Sequence, residues 1–412
     1  MFPKRVSGAM GAALVAAGMA AAQPVVTPVG QLGGSYSYTG GISGYGWSIA
    51  SSYRTASNDM RACRWTPATG VQDLGTLGGV HPQGFVLTYG LAISGSGDVI
   101  TGQSLILGGK PRAFRWTSRG GMESLGTLGD DSRGLAVSAD GGTIAGDYYA
   151  STTIDFLAFR WTASTGMQPL GTLGGARSTV RGLSADGKVV AGWSLVAGPG
   201  TERAFRWSES AGMQSLGTLG GSESYASAIS ADGAVVAGQA SVENGAYHAF
   251  RWTASDGLQD LGTLGGSASY ATSINGPGTI VVGGATTAGF ATRAFLWTPS
   301  LGMVDLNDYL PTLGVDLSDW TLFEARVISR DGTAILASAG YRGNSTWEDV
   351  LITGVPLPCE ADFDADGFVT FSDFDTFVTA LEAGDASSDF NDDGFLTFED
   401  FDAFVAAFEA GC

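Results

Sequence analysis

Histidine is almost absent from this chain. Two occur in 412 residues, His81 and His248, far apart in sequence, so a Ser-His-Asp triad or a histidine-based metal site has little to build on. Cysteine is nearly as scarce, with Cys63, Cys359 and Cys412. No segment beyond the N-terminus holds eighteen consecutive apolar residues, too little for a membrane-spanning helix. Residues 359–412 lack Lys and Arg altogether while holding 15 Asp and Glu; the rest of the chain carries 25 acids (40 − 15) against 21 bases. The formal charge of −19 therefore belongs to a near-neutral body and an acidic tail. Nothing in that balance attracts a phosphate backbone, which excludes nucleic acid as a partner. Glycine, by contrast, is plentiful: 64 residues without a three-residue period, a sign of many tight turns and not of collagen.

The N-terminus reads as a signal peptide over residues 1–22. Lys4 and Arg5 give a basic start, residues 7–20 are apolar or small, and Ala20-Ala21-Ala22 offers a small-residue cleavage site before Gln23. Export to the cell surface or beyond is expected, with no membrane span to follow.

Three landmarks recur along residues 25–355. The first is a turn of the form S-x-D-G, clearest as SADGGTIAG from Ser138, SADGKVVAG from Ser184 and SADGAVVAG from Ser230, with weaker copies from Ser43, Ser94, Ser273 and Ser329. The second is A-F-R-W-T, which begins 19 to 21 residues later in six copies. The third is L-G-T-L-G-G, whose last position falls 17 residues after that Ala in five copies. So fixed a spacing suits a hairpin whose register cannot slip. One unit reads as four strands: YASAIS, AVVAGQAS, HAFRWTA and LQDLGTL, with Asp-Gly turns between apolar runs. Four short strands in such a length match one propeller blade.

The array is displaced at its ends. The last turn, from Ser329, is followed by a degenerate third strand at Asp349 and by no L-G-T-L-G-G, while VVTPVGQLGG at residues 25–34 precedes the first turn. A first strand that completes the last blade closes a ring and hides its edge. The expected fold is all-β, a seven-bladed β-propeller closed by its N-terminal strand. A right-handed β-solenoid is the rival, and it gives no reason for the displaced strand.

Repetition also limits where chemistry can sit. The repeated Trp residues (Trp65, Trp116, Trp161, Trp207, Trp252, Trp297) are expected to pack blade on blade, and the Arg beside them to bond turn carbonyls. Irregular stretches stand out at residues 80–91, with His81, Phe85 and Tyr89, and at residues 306–325. No pair of acids for glycoside hydrolysis can be chosen from the sequence.

The tail is more explicit. DFDADGFVTFSD (362–373) and DFNDDGFLTFED (389–400) are twelve-residue loops that fit the calcium pattern of oxygen ligands at positions 1, 3 and 5, Gly at 6, a carbonyl at 7 and a carboxylate at 12. The expected ligands are Asp362, Asp364, Asp366, the Phe368 carbonyl and Asp373, then Asp389, Asn391, Asp393, the Phe395 carbonyl and Asp400. Thr370 and Thr397 stand at position 9, where a water often mediates. Two Ca2+ ions are expected. The apolar stretches FDTFVTAL and FDAFVAAF have the spacing of short amphipathic helices. Cys359 and Cys412 bracket the segment and could close it as a disulfide.

The string A-F-R-W-T…G-M-x-x-L-G-T-L-G-G resembles the HAF extracellular repeat family of bacterial secreted proteins over residues 25–355, which implies export and a repeat fold but no catalytic residues. Residues 359–412 resemble a GC-type dockerin, a tandem calcium-loop module with small helices. That resemblance implies an anchoring partner, a cohesin-like or cell-surface protein, contacted through loop positions 10 and 11: Phe371, Ser372, Phe398 and Glu399. The expected domains are thus a signal peptide at 1–22, a propeller at 23–355 and a dockerin-like module at 359–412. The expected function is that of an exported non-catalytic protein presenting a surface to a glycan or protein. A polysaccharide-acting enzyme, with unrepeated acids in a central funnel, and a structural surface-layer protein are the alternatives.

Overall fold

The computed structural model describes residues 25–354 apart from 30–36, 45, 47, 151–154, 199 and 342–346, and, in the C-terminal segment, residues 361, 363, 371–388, 390 and 395–410. The expected signal peptide and Cys359 and Cys412 lie outside the described residues.

Seven separate four-stranded antiparallel sheets follow one another along the chain. Blade one consists of Ser37–Ile42, Ile49–Arg54, Met60–Thr66 and Gly70–Asp73. Blades two to six occupy residues 88–124, 132–171, 174–215, 220–260 and 265–305. The seventh contains Trp320–Ile328, Ala334–Tyr341 and Trp347–Thr353, and its outermost strand is Val25–Pro28. Val25 stands opposite Thr353 and Pro28 opposite Val350, and the Val29 N–H continues the ladder to the Asp349 carbonyl at 2.9 Å. The displaced strand closes the ring as expected.

A-F-R-W-T explains how one blade seats the next. Its Phe (Phe114, Phe159, Phe205, Phe250, Phe295) is wholly buried, and so is the Ala one blade earlier. Phe205 shares a core with Ala158, and Phe250 with Ala204. A bulky ring meeting a methyl-sized partner lets adjacent sheets approach closely. The Trp residues join these same inter-blade cores, which is the packing role expected of them. The Arg Nε donates to the turn glycine carbonyl of the following blade: Arg115 to Gly141 at 3.1 Å, Arg160 to Gly187 at 2.6 Å, Arg206 to Gly233 at 2.8 Å and Arg251 to Gly278 at 3.0 Å.

The S-x-D-G turns hold themselves. Ser184 donates to Asp186 Oδ1 at 2.7 Å and accepts from the Val189 N–H, while Asp186 Oδ1 accepts from the Lys188 N–H. In blade six the turn begins at Asn275, two residues after the Ser273 expected, and the position after each Ser or Asn forms a backbone girdle that runs from Ala139 to Ala185, Ala231, Gly276, Arg330 and Gly44, then to Gly95 and by way of Ser96 back to Ala139.

L-G-T-L-G-G departs from expectation. In blade five the fourth strand ends at Asp260. Gly262 and Gly265 have φ of 76° and 93°, values that favour glycine. Residues 261–264 are the crossover, and Gly265-Gly266 already open the first strand of the next blade. Leu261 is buried and Leu264 packs on the same core, so the two leucines peg the crossover in place.

The irregular stretch 306–325 is architectural. A short helix, Leu306–Thr312, caps blade six with its N-cap at Asp305, and Leu306, Leu310, Val315 and Leu317 enter the core it shares with blade seven. At residues 80–91 the loop is tied to blade one by the Val86 N–H bond to Asp59 Oδ1 at 2.7 Å. There His81 lies stacked on Phe85 at 4.3 Å.

In the C-terminal segment, helices span Phe371–Ala383 and Phe398–Ala410. Phe377 and Phe404 stack at 4.1 Å, and Phe363 and Phe390 meet both edge-on. Each pair is 27 residues apart (363 to 390, 377 to 404), so the two halves contribute equivalent rings to one core. Among the described residues no helix is long and apolar enough to cross a membrane.

Candidate functional site

The first strand of every blade lines a central channel with a cavity of about 560 Å³. Each of these strands carries a register break at an equivalent place: Thr39/Gly41, Gly90/Ala92, Gly134/Ala136, Val180/Gly182, Ala226/Ala228, Ala271/Ser273 and Ala325/Val327. A β-bulge adds an unpaired residue and re-aims its side chain. Here the extra residues are Gly40, Leu91, Leu135, Arg181, Ser227, Thr272 and Arg326, and all seven line the cavity. The bulge is repeated while its occupant is not. Toward the turn face the channel narrows to a ring of Ile42, Ile93, Val137, Ile229, Ile274 and Ile328. A second cavity of about 570 Å³ lies at the turn mouth, lined by Gly44, Gly95, Ala139 and Pro277 with Arg330, Asp331 and Asp232.

Among the described residues, the charged side chains that line the 560 Å³ cavity are Arg181, Glu324 and Arg326. Arg326 sits 3.6 Å from Glu324 through Nε and 3.7 Å from Asp349 through Nη1. Both separations exceed a hydrogen bond, and Arg326 Nε is buried without a hydrogen-bond acceptor among the described residues. Asp349 accepts instead from Thr39 Oγ1 at 2.6 Å. Burial, and then the charge and hydrogen bond of Glu324, push the Tyr270 hydroxyl up to about 12. Thr272 is engaged with the Ala325 and Val282 carbonyls. Leu91 and Leu135 make one side of the ring apolar.

A second unrepeated cluster lies where blades four and five meet. The Tyr225 hydroxyl reaches Glu202 at 3.2 Å and Glu223 at 3.3 Å, Tyr247 donates to Glu223, and Arg177 pairs with Glu202 at 2.7 Å. Burial, followed by the two carboxylates, raises the Tyr225 hydroxyl.

The hairpins joining second and third strands differ from blade to blade, and two of them expose large apolar tips, Leu107 at 83% and Phe290 at 87%. Phe290 also has φ of 61°, in a position filled by Gly109 and Gly245 in equivalent hairpins. A bulky side chain held there is strained.

In the tail, Asp373 and Asp400 are wholly buried, Thr397 and the Phe395 side chain are exposed, and Asp400 accepts from the Phe390 and Thr397 N–H groups at 2.9 and 2.7 Å. The other expected ligand positions, Asp362, Asp364, Asp366, Phe368, Thr370, Asp389, Asn391 and Asp393, lie outside the described residues. Among the described residues no three His, Cys, Asp or Glu side chains gather as a metal site. Phe371 and Phe398 are 74% and 72% exposed, and Ser372 and Glu399 beside them are exposed as well.

The sequence pattern pointed to none of the bulge ring. Its signal is available only by comparing the copies position by position: Ser227, Thr272 and Arg181 occupy one column of otherwise similar strands.

No protein-family model matches the chain, and no curated protein matches it. Among solved structures, TolB from Acinetobacter baumannii is similar at a TM-score of 0.43 and 14% identity, over 75% of this chain and 64% of that one. A puromycin hydrolase mutant complexed with PGG gives 0.48 and 14%, over 76% and 51%. The β-propeller domain of the Trilobed protease from Pyrococcus furiosus, described as having an open velcro topology, gives 0.49 and 6%, over 78% and 94%. The chain thus spans 64% of that TolB and 51% of the hydrolase. These likenesses carry no functional weight, and the propeller assignment rests on this chain's own strand pairing.

Proposed function

We propose that this is an exported, non-catalytic propeller of the HAF-repeat kind, which presents a binding surface and is anchored through a calcium-binding, dockerin-like tail. The observation that carries the reading of the body is that its repeated polar groups are engaged in architecture. The turn Ser and Asp bond each other and the backbone, and the Arg bonds the next blade. What remains for recognition is the unrepeated channel ring and the apolar hairpin tips, a combination suited to a glycan or a protein ligand.

The described part of the tail fits a calcium module. Asp373 and Asp400 stand at loop position 12 of each copy with no exposure, in a segment that supplies no Lys or Arg. Buried carboxylates call for hydrogen bonds and a counter-charge, and a hard divalent ion surrounded by oxygens provides the latter. The twelve loop residues named from the sequence would hold two Ca2+ ions, which would stabilise the fold of the segment. Phe371 and Phe398 would face the anchoring partner, a cohesin-like or cell-surface protein.

Calorimetric titration of the full chain with calcium tests the tail. Two binding events are expected, with Asp400→Asn weakening one by about tenfold or more; no binding would contradict the assignment. A glycan array read for both binding and cleavage tests the body. Cleavage would favour a second reading, a glycan hydrolase acting at Glu202 and Glu223, two unrepeated acids that the Tyr225 hydroxyl bridges.

A further inference from the structure

We propose that the hairpin face of the propeller lands flat on a lipid surface, with Leu107 and Phe290 as its two apolar anchors. The inference goes beyond the ligand reading of the body given above and does not depend on it.

Antiparallel pairing puts every hairpin between a second and a third strand on the face opposite the S-x-D-G turns. Four of these hairpins, at 55–59, 106–110, 242–246 and 287–291, close with the same two backbone bonds. In each, the first N–H donates to the fifth carbonyl and the fourth N–H donates to the first carbonyl. The fourth position has positive φ in all of them, and it holds Asn58, Gly109, Gly245 and Phe290. Glycine and asparagine tolerate that backbone, whereas a phenylalanine is strained there. Phe290 is 87% exposed, so no packing within the protein offsets its strain. Strain of this kind persists where a function uses it.

The hairpin of blade two carries the other anchor. Leu107 is 83% exposed, and with Phe290 it is the most exposed large apolar side chain among the described residues of the propeller. Two more exposed apolar residues stand beside it. Val80 follows Gly79, whose N–H bonds the Leu105 carbonyl at 2.9 Å. Leu128 lies two residues before Asp130, which Lys110 of the same hairpin holds at 2.6 Å.

Blades two and six are three steps apart in a ring of seven, so the two anchors stand nearly across the channel from each other on one face. Both are protruding tips and not the walls of a groove. A short glycan that covers one tip leaves the other in water. A bilayer covers both at once and accepts an apolar tip without a pocket shaped for it. The nearest cations are already engaged, Lys110 with Asp130 and Arg293 with the Thr292 carbonyl at 3.0 Å. Docking therefore draws on apolar burial and needs no anionic headgroup.

The test is flotation of the chain from Gln23 onward with phosphatidylcholine vesicles, in calcium and again in a chelator. The parent is expected to rise with the vesicles in both. Phe290→Gly and Leu107→Ser should each weaken the partition about tenfold or more. Phe290→Gly should melt no lower than the parent, because it removes a strained residue. Leu301→Ser, at a residue 41% exposed on the turn face, should leave flotation unchanged. A parent that does not rise overturns the proposal and leaves the tips to a protein. A lipid-free dimer that Phe290→Gly dissociates overturns it too, by making a second copy the occupant. Flotation lost in chelator would place the contact in the tail, and flotation lost equally with Leu301→Ser would show no preferred face. A Phe290→Gly variant that floats like the parent, or that melts well below it, would equally contradict the assignment. Calcium titration and the glycan array read none of these quantities, so the function proposed above stands or fails separately.

Discussion

Within Ala-Phe-Arg-Trp-Thr each residue answers to a different neighbour. The Ala is small because the next blade's Phe rests on it, and the Arg reaches forward to the next blade's turn. At the closing seam both members of the Ala/Phe pair change: Asp349 takes the Ala position and Cys63 the Phe position. Cys63 is fully buried, and burial, then the Asp73 charge, pushes its thiol up to about 12, which leaves it unreactive in the fold. Phe205 has no such substitute partner. Phe205→Ala should cost about 3–5 kcal/mol of stability, read as a drop in the urea midpoint with little change in slope; a loss below about 1 kcal/mol would show that the blades do not depend on this peg.

At the scale of the element, the turn is the most legible feature and the bulge the least. Ser-x-Asp-Gly is written in the sequence because its Ser, Asp and Gly each meet a local demand. A bulge is a relation between two strands, one extra residue against a partner, and leaves no mark on a single strand's alternation. For the same reason L-G-T-L-G-G resembled a strand by its apolar spacing while its glycines turn the backbone. The fold could be read from the repeats, whereas Arg181 and Arg326 could be placed only once the pairing was known. The turn also titrates. The Ser138 hydroxyl and then the Gly142 N–H hold Asp140 below the ordinary carboxylate range. At Asp186, burial is the largest influence and pushes upward, but the Lys188 N–H, the Ser184 hydroxyl and the Lys188 charge prevail and bring it to about 2. A carboxylate depressed on folding adds stability above its unfolded pKa of 3.8 and loses it as the pH falls through the folded value. Asp186→Asn should therefore melt below the parent at neutral pH, with the gap closing between about pH 4 and about pH 2. A gap that stays constant to pH 2 would mean that the turn does not rely on the charge.

On the scale of the whole molecule, closure gives the channel its meaning, since seven bulges face one another only in a closed ring. The strand that closes it comes from the far end of the chain, with Val25 opposite Thr353. Directly opposed antiparallel residues bring their Cα atoms to about 4.5–5.5 Å, within the Cα spacing a disulfide accepts. Val25 is half exposed, so an oxidant can reach this pair. The most direct measurement is therefore mild oxidation of a Val25→Cys, Thr353→Cys variant with Cys359 and Cys412 changed to Ser, followed by peptide mapping. An intramolecular disulfide joining the two introduced thiols and a higher melting temperature are the predicted result. Free thiols, or links only between separate chains, would show that the ring is not closed by its first strand.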